Sequence, residues 1–229
     1  EDSEPWSEAV TPFLHLTLDL PATPLYSDEK EKNIIPQVPL LTILHKFNGI
    51  QELNMRGTLK RYKLKVLPNF LIINIKRFNM NTQFQMEKNP TIVSFPIKNL
   101  DLKDFVEFED ESMATSSRYD LIANICHEGL VTKATGTNEV HDKGVAVKEG
   151  VFRVQVLNKS QEQWFQIDDL HIQEILPQVV SISEAYIQIY ERSDLTAKRT
   201  QLKQAMSGLG VKKESSEANV KPELDKMEA

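Results

Sequence analysis

The sequence predicts an α+β domain, mainly antiparallel β-sheet with a few short helices, and three observations carry that expectation. Leu14, Leu16, Leu18 and Leu20 alternate with His15, Thr17 and Asp19, the period of two that marks a half-buried strand. The run Phe70-Leu71-Ile72-Ile73, closed by Ile75-Lys76-Arg77-Phe78 and preceded by Pro68, is nearly continuous in apolar and β-branched residues, which suits a central strand buried on both faces. Further short apolar stretches recur along the second half with turn residues between them.

In chain order, the first strand spans Phe13 to Leu20 and is stopped by Pro21 and Pro24. The charged stretch Asp28 to Lys32 reads as a solvated loop. Pro39 then takes a first helical position ahead of Leu40, Leu41, Ile43, Leu44 and Phe47, whose spacing gathers most of them on one helical face, and Gly49 is placed as a C-terminal cap. Tyr62 to Val66 alternates as a strand before Pro68, and the central strand follows over Asn69 to Phe78. Strands are expected around Thr91 to Phe95, Tyr119 to His127, Val151 to Asn158, Trp164 to Ile167 and Ala185 to Tyr190, with Leu130 to Glu149 a long loop rich in Gly, Thr, Lys and Glu. From Ser193 the sequence turns polar and charged, with Leu195, Leu202 and Met206 as a sparse helical stripe, so the expected organisation is one domain over 1–192 and a short helix with a disordered polar tail over 193–229.

Composition narrows the function classes. The 229 residues suffice for one domain with a substantial core, and no apolar run approaches the roughly 18 residues of a membrane helix. One cysteine permits no internal disulfide, and no basic segment followed by an apolar one opens the chain, so a reducing compartment is expected. The formal charge of −6 argues against strong direct nucleic-acid binding. The chain opens on Glu1 and not methionine, which predicts a fragment or a processed product.

Taken alone, the residues support no catalytic chemistry. Among five histidines none has the spacing of a metal-ligand pair, there is no Cys-x-x-Cys, and the glycines are too scattered for a phosphate loop, so no metal or cofactor is expected. Cys126 and His127 are neighbours on a strand and point to opposite faces, which keeps the thiol from the imidazole; Cys126 reads as a small core residue and His127 as a turn-holding hydrogen bonder. The carboxylates Asp168 and Asp169 read as a solvated strand end.

Several stretches, in order, resemble ubiquitin-specific peptidases. Phe13 to Pro21 resembles the strand that precedes the fingers of that family, and Leu67-Pro68-Asn69-Phe70-Leu71-Ile72-Ile73-Asn74-Ile75-Lys76-Arg77-Phe78 is close to its Leu-Pro-x-x-Leu-x-x-x-(Leu/Ile)-Lys-Arg-Phe signature. Tyr119 to Gly129, then Gly150-Val151-Phe152, then Trp164 to Asp169, follow its histidine box in order and approximate spacing. The resemblance implies a papain-like fold, palm and fingers part, with the thumb missing and a sheet face left partly bare.

The departures from the family pattern are specific. Active members carry the catalytic histidine after the box glycine, where this chain has Val151, and an isopropyl group accepts no proton. Asp168 matches the acidic residue that orients that histidine; with Val151 beside Gly150 the triad is degenerate and no residue is expected to be catalytic. The nucleophilic cysteine would precede Glu1, and the fingers region around Gln51 to Tyr62 lacks the two Cys-x-x-Cys pairs that hold zinc in many members. With the stretches Asp28 to Lys32, Ile34 to Leu40, Lys46 to Ile50, Glu87 to Val93 and Ser183 to Ile189, these departures resemble the inactive branch of the family associated with the spliceosomal tri-snRNP. That branch implies a nuclear scaffold of pre-mRNA splicing with tri-snRNP proteins as partners. The alternatives are a thiol deubiquitinase using His141 or His171, and a module that binds ubiquitin or a ubiquitin-like protein without cleaving it.

Overall fold

The structure is a computed structural model that describes residues 6–21, 36–55, 57–80, 84, 86–107, 117–129, 150–195, 197–198 and 201–202. Two compact units divide the chain, Glu1–Thr196 and Ala197–Ala229. In the second, residues 197, 198, 201 and 202 are helical; the loops expected over 28–32 and 130–149 and the polar tail lie outside the described residues.

The first unit begins with β1 (Leu16–Asp19) and β2 (Gln37–Pro39), followed by α1 (Leu40–Leu44) and a 3₁₀ turn (His45–Phe47). Leu40, Ile43 and Leu44 are buried, and Pro39 is the N-cap, one position earlier than its expected place in the first turn. Gly49 has φ +75°, the left-handed conformation a glycine cap supplies, and its N–H donates to the Tyr62 carbonyl at 2.9 Å. The hairpin β3 (Leu53–Met55) and β4 (Thr58–Lys60) comes next, then β5 (Phe70–Lys76), the hairpin β6 (Phe78–Met80) and β7 (Met86–Lys88), β8 (Ile92–Ser94), β9 (Leu100–Asp101) and the long β10 (Arg118–Gly129). After residue 149 follow β11 (Gly150–Asn158), β12 (Gln163–Asp168), β13 (His171–Ile175), α2 (Pro177–Ser181) and β14 (Ala185–Arg192).

Eight strands form the main sheet in the order β1-β5-β14-β10-β11-β12-β13, with β9 pairing β10. Its pairs are antiparallel except β1 with β5, which is parallel, so the sheet is mixed. The core lies on one face, where Leu16, Leu18, Leu71, Ile73, Ile75, Leu121 and Tyr190 pack with Leu40 and Leu44 of α1. Tyr119 and Tyr190 are fully buried, and each hydroxyl donates to a proline carbonyl, Tyr119 to Pro68 and Tyr190 to Pro96.

Three expectations need correction. The first strand is shorter than the leucine alternation suggested, because bends at residues 14 and 15 turn the chain off the sheet and leave Leu14 79% exposed. Tyr62 to Val66 is not a regular strand; it makes isolated bridges, Lys63 to Asn48 and Leu64 to Val106, because no neighbouring strand runs alongside it. And β5 is fully buried on one face only. On its other face Ile72 continues a row through Ile189, Ala123, Val156 and Phe165 of the neighbouring strands, all of them half-buried.

Candidate functional site

The residues singled out by the sequence converge where β10, β11 and β12 lie side by side. Glu128 opposes Val151, His127 opposes Phe152 and Cys126 opposes Arg153 across the β10–β11 ladder. Opposed residues share a face and successive ones alternate, so Val151, Glu128, Arg153 and Cys126 belong to the core side and Phe152 and His127 to the other. The β11–β12 register, with Val154 opposite Ile167, brings Asp168 beside Arg153.

Arg153 organises the core-side group. Its Nε donates to Asp168 Oδ2 at 3.1 Å, and its Nη1 donates to Glu128 Oε2. The hydrogen bond to Asp168, foremost, raises the guanidinium above the ordinary arginine value. The carboxylate that the family resemblance assigns to orienting a base therefore holds a permanent cation two residues along from Val151 on the same strand face. Val151 itself is 42% exposed and offers no polar atom.

Among the described residues no histidine joins Asp168 to a thiol. His171 opposes Asp168 across the tight β12–β13 hairpin, but it lies three strands from β10, roughly 14 Å at the 4.7–4.9 Å spacing of paired strands, from the strand of the chain's one thiol. His45 packs its ring against Phe105, and His141 lies outside the described residues. Asp169 sits exposed at the hairpin turn with φ +52°.

Cys126 is fully buried, and its Sγ contacts the Arg153 carbonyl at 3.6 Å. Burial, reinforced by Glu128, pushes the thiol up to about 11. At pH 8 the folded chain is expected to react with iodoacetamide about a hundredfold more slowly than a free thiol, because the thiolate population falls tenfold for each unit of pKa. Mass spectrometry of alkylated protein with and without urea checks this; equal labelling in both would mean that the thiol is not sequestered.

On the opposite face the His127 ring meets Phe152 edge-on at 4.8 Å and Phe78 at 5.0 Å, while Phe78 meets Tyr186 at 5.4 Å. Burial, with Lys88 second, holds the imidazole below its ordinary value. Its Nδ1 is buried with no partner among the described residues. The ring packs among these aromatic side chains, and its Nδ1 makes none of the turn hydrogen bonds expected of it among the described residues. The backbone carries those bonds: the His127 carbonyl accepts from Lys88 Nζ, which also pairs with Glu184, and the His127 N–H donates to the Glu184 carbonyl at 3.4 Å.

Two features escaped the sequence reading. Arg153 was one charge within an apolar strand, and only the hairpin register reveals that it faces Asp168. The second is a row of amides crossing the sheet on the core side, Gln188, Asn124, Gln155 and Gln166 in directly opposed positions. All four are buried, and Asn124 donates to Gln155 at 2.8 Å and to Ser183 at 2.7 Å, while Gln155 donates to Gln166 at 3.1 Å. Polar residues at alternate, inward positions of neighbouring strands are the signal that could have found it.

An open cleft of about 350 Å³ lies at the far edge of the sheet, lined by Thr17, Asp19, Lys46, Phe47, Met55 and Tyr62 among others, away from Val151 and Asp168. Among the described residues no three His, Cys, Asp or Glu side chains converge as metal ligands.

Residues 11–190 match the family model described as ubiquitin carboxyl-terminal hydrolase. The chain belongs to that family. Over 186 residues it is 47% identical to the human protein named ubiquitin carboxyl-terminal hydrolase 39, an alignment covering 80% of this chain and 30% of that protein. It is 42% identical to the Schizosaccharomyces pombe protein named probable mRNA-splicing protein ubp10, covering 80% of this chain and 34% of that one. The chain thus spans about a third of the length of these relatives. Among solved structures, a chain of the yeast SAGA DUBm shares the fold, with a TM-score of 0.53 at 22% identity over 79% of this chain and 34% of that one.

Proposed function

We propose that this chain is the palm-and-fingers part of a catalytically silent ubiquitin carboxyl-terminal hydrolase that acts in the nucleus as a scaffold of pre-mRNA splicing, through contacts with tri-snRNP proteins. The observation that carries the reading is the pairing of Asp168 with Arg153 next to Val151. Val151 stands at the place of the family's histidine, and Asp168 at the place of its orienting carboxylate. A guanidinium cannot accept a proton at physiological pH, so the ion pair preserves the strand geometry of the site while supplying no base. The general acid needed by the leaving amine is absent for the same reason.

The splicing assignment is supported by the relatives: the S. pombe protein is named for mRNA splicing, and the identities of 42% and 47% over the same region place this chain near both. What the family fold retains once proton transfer is gone is surface, and surface is what a scaffold uses. Immobilised chain incubated with nuclear extract is expected to retain tri-snRNP proteins reproducibly over a bare-resin control. Their absence from the eluate, under conditions where the chain remains folded, would overturn the splicing assignment.

A further inference from the structure

The two outer edges of the main sheet are treated differently. At one edge β1 is only four residues long and is followed by Pro21, and Lys46 lies across it, its Nζ donating to the Thr17 carbonyl at 3.2 Å and to Asp19 at 2.6 Å. Short length, proline and an overlying lysine are the devices that keep edge strands from pairing with other chains. At the other edge β13 is also short, five residues, and Pro177 follows two residues past its end, but among the described residues no lysine is bonded across it. His171–Ile175 contains no lysine and no proline, its register with β12 runs without a bulge, and four of its five residues are exposed. Ile172 is 63% exposed and the flanking Leu170 and Leu176 are 99% and 68% exposed. Among the described residues no strand pairs with its outer side.

We propose that the β13 edge is a docking site for an extended segment of a partner protein, which adds to the sheet as a further strand and carries an apolar residue with a lysine or arginine two positions away. Main-chain hydrogen bonds along the edge supply the attachment, and side chains at alternate positions supply the selectivity. Ile172 and Glu174 share one face, so an incoming strand with an apolar side chain over Ile172 places its next same-face residue over Glu174. Neither Glu174 nor the exposed Asp169 at the head of the hairpin has a cationic partner among the described residues. A cation two positions from the apolar residue is therefore the complement that Glu174 calls for. A second copy of the chain fits less well: antiparallel self-pairing about Gln173 sets each Glu174 carboxylate against the Ile172 of the other copy and brings no cation.

The test uses the 229-residue chain and two fluorescein-labelled peptides, acetyl-Thr-Lys-Thr-Val-Thr-Lys-Thr-amide and the same peptide with glutamate in place of lysine. The lysine peptide is expected to bind saturably by fluorescence anisotropy and to slow hydrogen exchange of the amides within 171–175, with the glutamate peptide weaker by roughly tenfold, since exchanging an opposite for a like charge across a strand pair shifts the balance by about 1.4 kcal/mol. The variant Glu174→Lys, an exposed substitution, is expected to reverse that preference. Equal affinity for the two peptides, protection at 16–19 in place of 171–175, or protection of 171–175 that grows with chain concentration in the absence of peptide would each overturn the proposal, the last in favour of self-pairing.

Discussion

Arg77→Met is expected to lower the stability of the fold by about 3–5 kcal/mol, the loss typical of removing one member of a buried charged network. Arg77 is fully buried, and its guanidinium donates to the carbonyls of Ala185, Asn89 (3.2 Å) and Thr91 (2.6 Å). Those three carbonyls belong to the start of β14 and to the connection between β7 and β8, so a single side chain ties both to the end of β5. Burial lowers its pKa to about 10, which still leaves it cationic at neutral pH, with Glu184 nearby as the favourable charge. Methionine fills much of the same volume but strands three buried acceptors, and an acceptor left without a donor forfeits about 1–3 kcal/mol. Arg77→Lys keeps the charge but not the fork, and its loss should fall between those of the wild type and Arg77→Met. Urea unfolding of the three chains, followed by far-ultraviolet circular dichroism, measures this. A midpoint for Arg77→Met within error of the wild type would mean that the carbonyls find other donors.

Gly150→Ala is expected to destabilise by about 1–3 kcal/mol, the range for an overpacked site in a well-packed region. Gly150 opposes Gly129 at the end of the β10–β11 ladder, and a Cβ on it would overlap the Nε2 and Cε1 atoms of His127 and approach the Glu128 carbonyl at 3.2 Å. The imidazole has little freedom to retreat, because Phe78 and Phe152 hold it on two sides. Glycine is needed here for close approach. His127→Ala removes the obstacle, so the alanine at 150 should be less harmful in that background, with a coupling of about 1 kcal/mol in a double-mutant cycle. Additive effects of the two substitutions would show that the ring and residue 150 do not touch.

Both residues lie in the motifs by which the family is recognised, and neither motif reveals why they are there. The strands that bury one face were legible: the alternation of Leu16 and Leu18, the apolar run of β5, and the stretches that became β10, β12 and β14 largely follow from burial at alternate residues, while β11, with only Gln155 buried, was read from its apolar residues. Elements without an inward face were not. The β3–β4 hairpin has only Leu53 partly buried, and β13 is exposed on both sides, so neither carries a periodic signal. The candidate site divides in the same way. Val151 and Asp168 stood out through the resemblance, whereas Arg153 depends on which residues oppose one another, a property of the paired strands that no local pattern encodes. The amide row on the core side was hidden for the same reason, each Gln or Asn being unremarkable on its own strand.

On the reading proposed above, the Arg153–Asp168 pair lets the site keep its shape without a base. An unpaired carboxylate at a half-buried position would be a liability, and the arginine on the adjacent strand meets it. A histidine introduced at 151 would therefore have to compete for Asp168 with a cation already bound to it.

Fluorescence release from ubiquitin–rhodamine, measured with the chain and with its Val151→His variant, tests most directly whether this site has kept any proton-transfer chemistry. Neither protein is expected to release fluorophore above buffer, since the chain's one thiol is buried with its pKa pushed up to about 11 and Asp168 is committed to Arg153. Turnover by either one that disappears on Cys126→Ala would contradict the account.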